Sequence, residues 1–536
     1  MPRKLKGKLF FIIPAFFSLI INLNAGIDWA WKDFFENLLT ATLVVVIVFS
    51  ILNNKWRLFF AVSVYLLFTI SALVENSYYM MYRNTINMSV IYILMETNSN
   101  ETAEFLRVYF RYIYLVVILM VIPLFIIVPF FFKWNKEFKP APFHLKSKES
   151  FIKIIIVLVV VSTIGLFQLQ KYNLVYTTMK GFFQYRKEMK RYEKYSYTAE
   201  GGKFTGVSGK YSGKEIYVLV IGESANRDHL NLYGYERKTN PYLAQINNEL
   251  VVYKDIISPF ANTISSLPLV LSPGNYENPD ARFDGVITQL FNHAHFETYW
   301  LSNQEPLGLR ETYITKIAKS CKQRFFMNTM SNREKAPYDS ILFHPMQRIL
   351  NQPFEKKFII VHLLGSHVDY IERYPSSFNK FSNIPVTKLK SPEAYKTINE
   401  YDNSILYTDF VVSKIIEMVK LKDARSFVLY FSDHGEDVYE TSDKSYHADG
   451  IKSRFMYEIP FVLWTSEKFM KTADSLVFEP HRPFMTDDLI YGISNLAGIY
   501  FNEFQPGRSI FNKEFKHRKR LILNGIDYDA ELKKNN

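Results

Sequence analysis

Two short runs concentrate the residue types that hold metals and move protons. One is Gly222-Glu223-Ser224, directly behind the apolar run at 216–221, within VLVIGESANRDHLNLYGYERKTNPYL; the other is Ser432-Asp433-His434-Gly435-Glu436, behind the apolar run at 427–431. A carboxylate released at a strand end is well placed to bind a hard or borderline cation. Asp433 and His434 offer an oxygen and an imidazole side by side, and Gly435 lets the backbone turn so that both face one ion. A lone glutamate such as Glu223 is more often a cap or an ion-pair partner, whereas SDHGE at a strand end is far more specific. A catalytic zinc keeps a fourth position open or gives it to the nucleophile. Between the two runs lies SPFANTISSLP (258–268), whose hydroxyls at Thr263, Ser265 and Ser266 would ionise more easily beside such an ion. Residue chemistry does not rank the three, and a helix N-cap is the plainer alternative.

These residues need a scaffold that brings strand ends together. Residues 216–221, 298–301, 358–364, 427–431 and 459–464 are short apolar runs typical of buried parallel strands, with helical patterns between them, notably 394–421. This order predicts an α/β/α sandwich with its site at the carboxyl ends of the strands. No internal repeat is present.

The first third of the chain has a different character. Residues 9–27, 38–52, 58–74, 112–132 and 151–169 are long runs almost free of charge, each near the roughly 17 to 25 residues a membrane-spanning helix needs. Arg3, Lys4, Lys6 and Lys8 precede the first run, Lys55 and Arg57 fill the second loop, and Lys136, Lys139, Lys146 and Lys148 fill the fourth. The basic loops belong on the cytoplasmic side, so five spans place everything after about residue 171 outside it. The expected division is a transmembrane domain at 1–171, an interfacial helix and flexible Gly/Ser-rich linker at 172–214, and a catalytic domain at 215–536. The basic, aromatic helix of the middle segment suits a membrane surface or, equally, the flank of the soluble domain.

Composition narrows the function classes. With 536 residues, 48% of them hydrophobic, the chain is no disordered polypeptide. Its mean hydropathy of −0.06 excludes a channel that is apolar from end to end. The single cysteine, Cys321, excludes a disulfide scaffold and a four-thiolate zinc site. The net charge of +12 comes with no nucleic-acid-binding pattern, and anionic phospholipid is the closer partner for the basic linker.

The ordered set GESANRDHLNLYGYERKTNP, TISSLP, HLLGSHVDYIERYP and SDHGE, behind five expected spans, resembles the phosphoethanolamine transferases of Gram-negative inner membranes. That group includes lipid A modifying and colistin-resistance enzymes and lies within the alkaline phosphatase and sulfatase superfamily. The resemblance implies that Glu223, Thr263, Asp433 and His434 bind zinc and that Thr263, five residues before Pro268, is the nucleophile. It also implies that His367 and His447 hold phosphoryl oxygens or move protons, and that Glu436 meets the ethanolamine ammonium. Thr97 and Glu101, four apart in the loop after the third span, match a segment that approaches the lipid substrate, although the polar residue one turn earlier is Ile93 here. Asn303, within WLSNQ, is a further substrate-binding candidate in a stretch resembling the branch that acts on lipopolysaccharide core sugars. Several relatives carry disulfides, one of them bracketing the nucleophile segment, where this chain has Pro259 and Leu269.

The implied reaction is a double displacement. Phosphatidylethanolamine gives phosphoethanolamine to Thr263, diacylglycerol leaves, and a lipopolysaccharide acceptor, either a core sugar or lipid A, takes the group. A sulfatase would need a Cys or Ser in a maturation motif with a proline two residues on, but Cys321 is followed by Lys-Gln-Arg. A lipoteichoic-acid-type phosphoglycerol transferase and an inactive membrane-anchored binding protein are the remaining alternatives.

Overall fold

The computed structural model describes residues 54–82, 86–97, 174–194, 197–306, 313–328, 336–522 and 525–533, with isolated helical positions at 31, 34, 35, 38 and 102. The chain divides into two compact units, residues 1–92 with 105–185, and residues 93–104 with 186–536. The segment that carries Ile93 and Thr97 therefore belongs with the second unit.

In the first unit, α1 (Asn54–Tyr82) contains the expected third span, and its Trp56, Phe59, Phe60, Leu67, Ile70 and Val74 are exposed. Its last turns become polar at Glu75, Asn76 and Ser77. Among the described residues no helix is long and apolar enough to cross a membrane. The other four expected spans lie outside the described residues, apart from Leu38. Helix α2 (Met88–Glu96) follows, and α3 (Leu174–Lys194) contains the division between the units. From Arg186 on, α3 belongs to the second unit, within which Glu188 pairs with Arg282 and Arg191 with Asp280, each at 3.2 Å.

The second unit is built on a seven-stranded sheet. Its strands are β1 (Glu215–Gly222), β2 (Leu250–Val252), β3 (Glu297–Ser302), β4 (Gln323–Phe326), β5 (Lys356–His362), β6 (Arg425–Ser432) and β7 (Phe461–Thr465), in the spatial order β2-β7-β6-β1-β5-β3-β4. β6, β1, β5, β3 and β4 run parallel. β7, which the sequence pattern groups with the parallel strands, pairs antiparallel with both β6 and β2. A buried apolar run has the same composition in either direction, so its orientation is set by the connection and not by the residues.

Alternation along β1 shows why both faces are covered. Tyr217, Leu219 and Ile221 join one core, with α4 (Thr263–Val270), α5 (Ile287–His293) and α9 (Leu489–Ala497). Ile216, Val218 and Val220 join the other, with α7 (Phe343–Asn351) and α8 (Pro392–Lys420). A further short helix, α6 (Tyr313–Ala318), adds Tyr313 and Ile317 to the first core. The carboxyl ends of β1, β5 and β6 are thus neighbours, because these strands are adjacent and parallel.

The segment expected as a flexible linker is fastened instead. Tyr197 and Phe204 enter the first core, Ser208 and Gly209 pair with Tyr500 and Ile499, and the Lys210 amide donates to the Gly498 carbonyl at 2.8 Å. Its glycines and serines serve an edge pairing and turns, which need small residues as much as a linker does.

Behind β1 the chain makes two short turns, Arg227–His229 and Asn231–Tyr233, tied down by a buried cluster. His229 holds Asp402 at 2.6 Å through Nδ1 and Glu440 at 2.7 Å through Nε2, while Arg237 and Tyr235 donate to the other Asp402 oxygen. Burial by itself lowers the His229 pKa, but the two carboxylates override it and push it up from 6.5 to about 10. The folded state then keeps a proton that the unfolded state loses, so this contribution is complete below pH 6.5 and is lost as pH rises to about 10. Chemical denaturation should show stability falling across that window by on the order of a few kcal/mol, with a visibly flatter profile in His229→Gln.

Candidate active site

The residues singled out in the two sequence runs meet at the carboxyl edge of the sheet. Glu223 leaves the end of β1, Asp433 and His434 leave the end of β6, and Thr263 is the first residue of α4. Asn262 caps that helix by accepting the Ser265 amide at 2.9 Å. The cap orients the first turn, so Thr263 carries its hydroxyl at the positive end of a helix whose leading amides have no helical acceptor. Its Oγ1 donates to Glu223 Oε2 at 3.0 Å and lies 3.5 Å from His434 Nε2. Ser266, by contrast, is buried and donates to the Asp433 carbonyl at 2.8 Å, which ties α4 to the end of β6.

The donor set fits a cation. His434 Nδ1 faces the Gly435 carbonyl at 2.8 Å, which leaves Nε2 turned toward Glu223 at 3.1 Å and Asp433 at 3.6 Å. Asp433 Oδ1 accepts the amides of Ser224 and His434, whereas its buried Oδ2 has no hydrogen-bond partner among the described residues. One ligand atom from each of Glu223, Asp433 and His434 lies within 4.8 Å of the others. Burial pushes Asp433 above the usual carboxylate range, and the neighbouring Glu223 charge adds to it. Glu223 also pays for burial, but the His434 hydrogen bond and charge, helped by His367 and Ser224, outweigh that and hold it well below the range. The acids and the imidazole are therefore held at unequal protonation, the imbalance that a bound metal ion relieves.

Close backbone approach completes the turn. Gly365 has φ +53°, and a Cβ there would stand 2.8 Å from the Glu223 amide nitrogen. Gly435 approaches the Phe455 carbonyl too closely for any side chain.

Thr263 and Glu223 open onto a cavity of about 140 Å³ whose walls also include His367, His447, Gln304 and Ile93. His447 is held through Nδ1 by Glu436 at 2.5 Å, and its ring lies 4.3 Å from that of His434.

The chain matches the Sulfatase family over residues 215–499. The phosphoethanolamine transferase EptC of Escherichia coli (strain K12) is 30% identical over 489 residues, 86% of this chain and 84% of that protein. The chain belongs to the phosphoethanolamine transferases of the sulfatase family. A zinc complex of the C-terminal periplasmic domain of Escherichia coli EptC superimposes on this transferase with TM-score 0.59 at 34% identity, covering 61% of this chain and 96% of that domain. The integral membrane protein lipooligosaccharide phosphoethanolamine transferase A of Neisseria meningitidis has the same fold, with TM-score 0.68 at 19% identity over 95% of this chain and 98% of that one.

Other candidate residues of the transferase stand elsewhere. Asn303 is fully buried, and its Nδ2 donates to the Pro337 carbonyl and to Asp339, so it braces the wall and does not line the cavity. Its neighbour Gln304 takes the cavity position, with Nε2 3.0 Å from the Leu363 carbonyl and 3.5 Å from Glu223 Oε2. Glu436 is likewise absent from the cavity wall, and besides His447 it accepts from Tyr370 at 3.0 Å. Thr97 spends its hydroxyl on the Ile93 carbonyl at 2.7 Å, while Ile93 and Glu96 of the same segment reach the cavity. Glu101 lies outside the described residues. Sequence reasoning passed over Gln304, Glu96 and His362, although Gln304 and His362 stand inside the quoted WLSNQ and HLLGSH.

Alanine at the two neighbouring positions should separate their roles. Asn303→Ala removes buried hydrogen bonds and should cost about 1–3 kcal/mol of stability. Gln304→Ala should leave the melting temperature near wild type and lower turnover, as parallel melting and activity assays would show.

Proposed function

We propose that this protein transfers phosphoethanolamine from phosphatidylethanolamine, by way of a phosphoethanolamine-Thr263 intermediate, to a lipopolysaccharide acceptor. The observation that carries the reading is Thr263 Oγ1 at the start of α4, 3.0 Å from Glu223 and 3.5 Å from His434, in a cavity walled by His367 and His447. Glu223, Thr263, Asp433 and His434 would hold zinc, which supplies Lewis-acid stabilisation of charged oxygens and a more acidic threonine hydroxyl.

In the first half-reaction Thr263 Oγ1, its proton already given up to solvent, forms a bond to phosphorus, and the bond from phosphorus to the diacylglycerol oxygen breaks. Glu436 fixes Nδ1 of His447, so Nε2 is the atom available to protonate the departing diacylglycerol. In the second half-reaction the same atom takes the acceptor's proton, and the Thr263 oxygen becomes the leaving group. His367 and the leading amides of α4 receive the phosphoryl oxygens.

The setting is a membrane domain of five spans at 1–171 with a cytoplasmic N-terminus, an interfacial segment at 172–214 and a periplasmic catalytic domain at 215–536 of the bacterial inner membrane. The charge-poor runs and the basic loops support this topology.

Thr263→Ala should abolish transfer while the protein stays folded and membrane-bound. In the wild type given phosphatidylethanolamine without acceptor, mass spectrometry of the Thr263 peptide should show added phosphoethanolamine. A glycerol phosphate adduct would assign the phosphoglycerol reaction instead, and full transfer by Thr263→Ala would overturn the nucleophile.

A further inference from the structure

Strand β5 ends at His362 on the carboxyl edge of the sheet, and the chain runs through residues 363–391 before α8 begins at Pro392. This connection stands at the same edge as Glu223 and Asp433, and its His367 walls the cavity beside Thr263. Its later part is fastened to the fold. Asn403 of α8 accepts the Lys380 and Phe381 amides, each at 2.8 Å, and returns its own side-chain amide to the Phe381 carbonyl at 3.1 Å. Arg237 donates to the carbonyl and the side-chain oxygen of Asn383, each at 3.0 Å. Leu389 packs on the small core that contains Ile398 and Tyr401.

Between these ties the loop holds two aliphatic side chains in water. Ile384 is 71% exposed and Val386 76%, whereas Pro385 between them is buried. The residue before a proline is confined to extended backbone, and side chains two apart in extended chain share a side. A lone exposed aliphatic residue needs no explanation, but here a fastened backbone turns a pair of them to one side, away from the core it borders. The charge around the pair has a single sign. Lys380, Lys388 and Lys390 are exposed, residues 373–392 contain no Asp or Glu, and none of the three lysines has an ion-pair partner among the described residues.

We propose that residues 380–390 rest on an anionic phospholipid surface, with Ile384 and Val386 at the acyl boundary and the three lysines at the phosphates. Aliphatic burial and the attraction of lysine to anionic head groups add in such a contact, and the long lysine stems let the ammonium groups stay at head-group level. The contact depends on the charge-poor runs of the first third of the chain holding it in a bilayer, and not on the transfer reaction. It turns the sheet edge that carries Thr263 toward lipid.

The test uses the full chain in nanodiscs made with phosphatidylglycerol, and an environment-sensitive fluorophore on Val386→Cys. The native Cys321 is 2% exposed and stays unlabelled. Leu421→Cys is the control, because Leu421 is 77% exposed just beyond the far end of α8, about 40 Å from Pro392 at 1.5 Å per residue. The label at position 386 should emit at shorter wavelength and be quenched by nitroxide-bearing lipid, and the label at 421 should do neither. Adding Lys380→Gln/Lys388→Gln/Lys390→Gln should cut the quenching at 386 several-fold with the melting temperature unchanged, and raised salt should weaken it in the same direction. An unquenched label at 386, matching that at 421, overturns the contact. A spectral shift that grows with protein concentration in detergent assigns the loop to a second copy of the chain and also overturns it. A chain that does not enter nanodiscs removes the membrane reading and the contact with it; an embedded chain with an unquenched label removes the contact alone.

Discussion

Everything at the carboxyl edge of the sheet answers to one electrostatic constraint. Glu223, Asp433 and His434 are each no more than 2% exposed, and His434 Nε2 stands 3.1 Å from Glu223 and 3.6 Å from Asp433. Burying one carboxylate costs several kcal/mol unless it is paired, and two carboxylates share a single imidazole here. The result is the division already described, in which Glu223 is stabilised as the anion and Asp433 is pushed toward protonation. A group of this kind holds together only if the surrounding backbone gives it no freedom to relax toward water.

The bracing comes from three directions, each using a buried polar group. From α8, the Tyr401 hydroxyl accepts the Asn226 amide at 2.8 Å and donates to the Ser224 carbonyl at 2.7 Å, pinning the turn in which Ser224 takes a positive φ of 56°. From α4, Ser266 holds the Asp433 carbonyl. From the loop before α7, Asp339 accepts the amides of Leu364 and Gly365 at 2.9 Å, fixing the glycine that packs against the Glu223 backbone. Burial raises the Asp339 pKa, the two amides and Asn303 work against that rise, and the carboxyl group becomes a rigid clip.

What the sequence made legible follows from where the physics is local. All five apolar strands and the long helix α8 could be placed, because burial on both faces of a parallel sheet writes a continuous apolar run. Glu223, Asp433 and His434 were legible because their strand-end positions depend on a few adjacent residues. The direction of β7 was not, since it depends on a connection that folds back across the sheet. Asn303 and Gln304 show a finer limit. In extended chain successive side chains point to opposite sides, so a one-residue difference decides whether an amide braces the wall or faces the cavity, and composition carries no trace of it. Glu96 was passed over for a related reason, since a helix face becomes a cavity wall only when a distant segment, here the start of α6, closes over it.

The nucleophile segment shows how the same rigidity is reached without a cross-link. The two positions that bracket this segment, Pro259 and Leu269, are both buried and neither is a cysteine. Asp449 holds the segment from the side, accepting the Ala261 amide at 2.9 Å and the Asn262 side-chain amide. Asn262 in turn caps α4, so one buried carboxylate fixes the loop, the cap and the start of the helix that carries Thr263. In the chain-entropy account a disulfide stabilises mainly by restricting the unfolded chain, whereas hydrogen bonds to Asp449 exist only once the strand-end loops have come together. The order of the nucleophile loop is therefore coupled to the folding of the whole catalytic unit and needs no disulfide. The lone Cys321 fits that arrangement, since it is 2% exposed and burial raises its thiol pKa, which keeps it out of thiol chemistry.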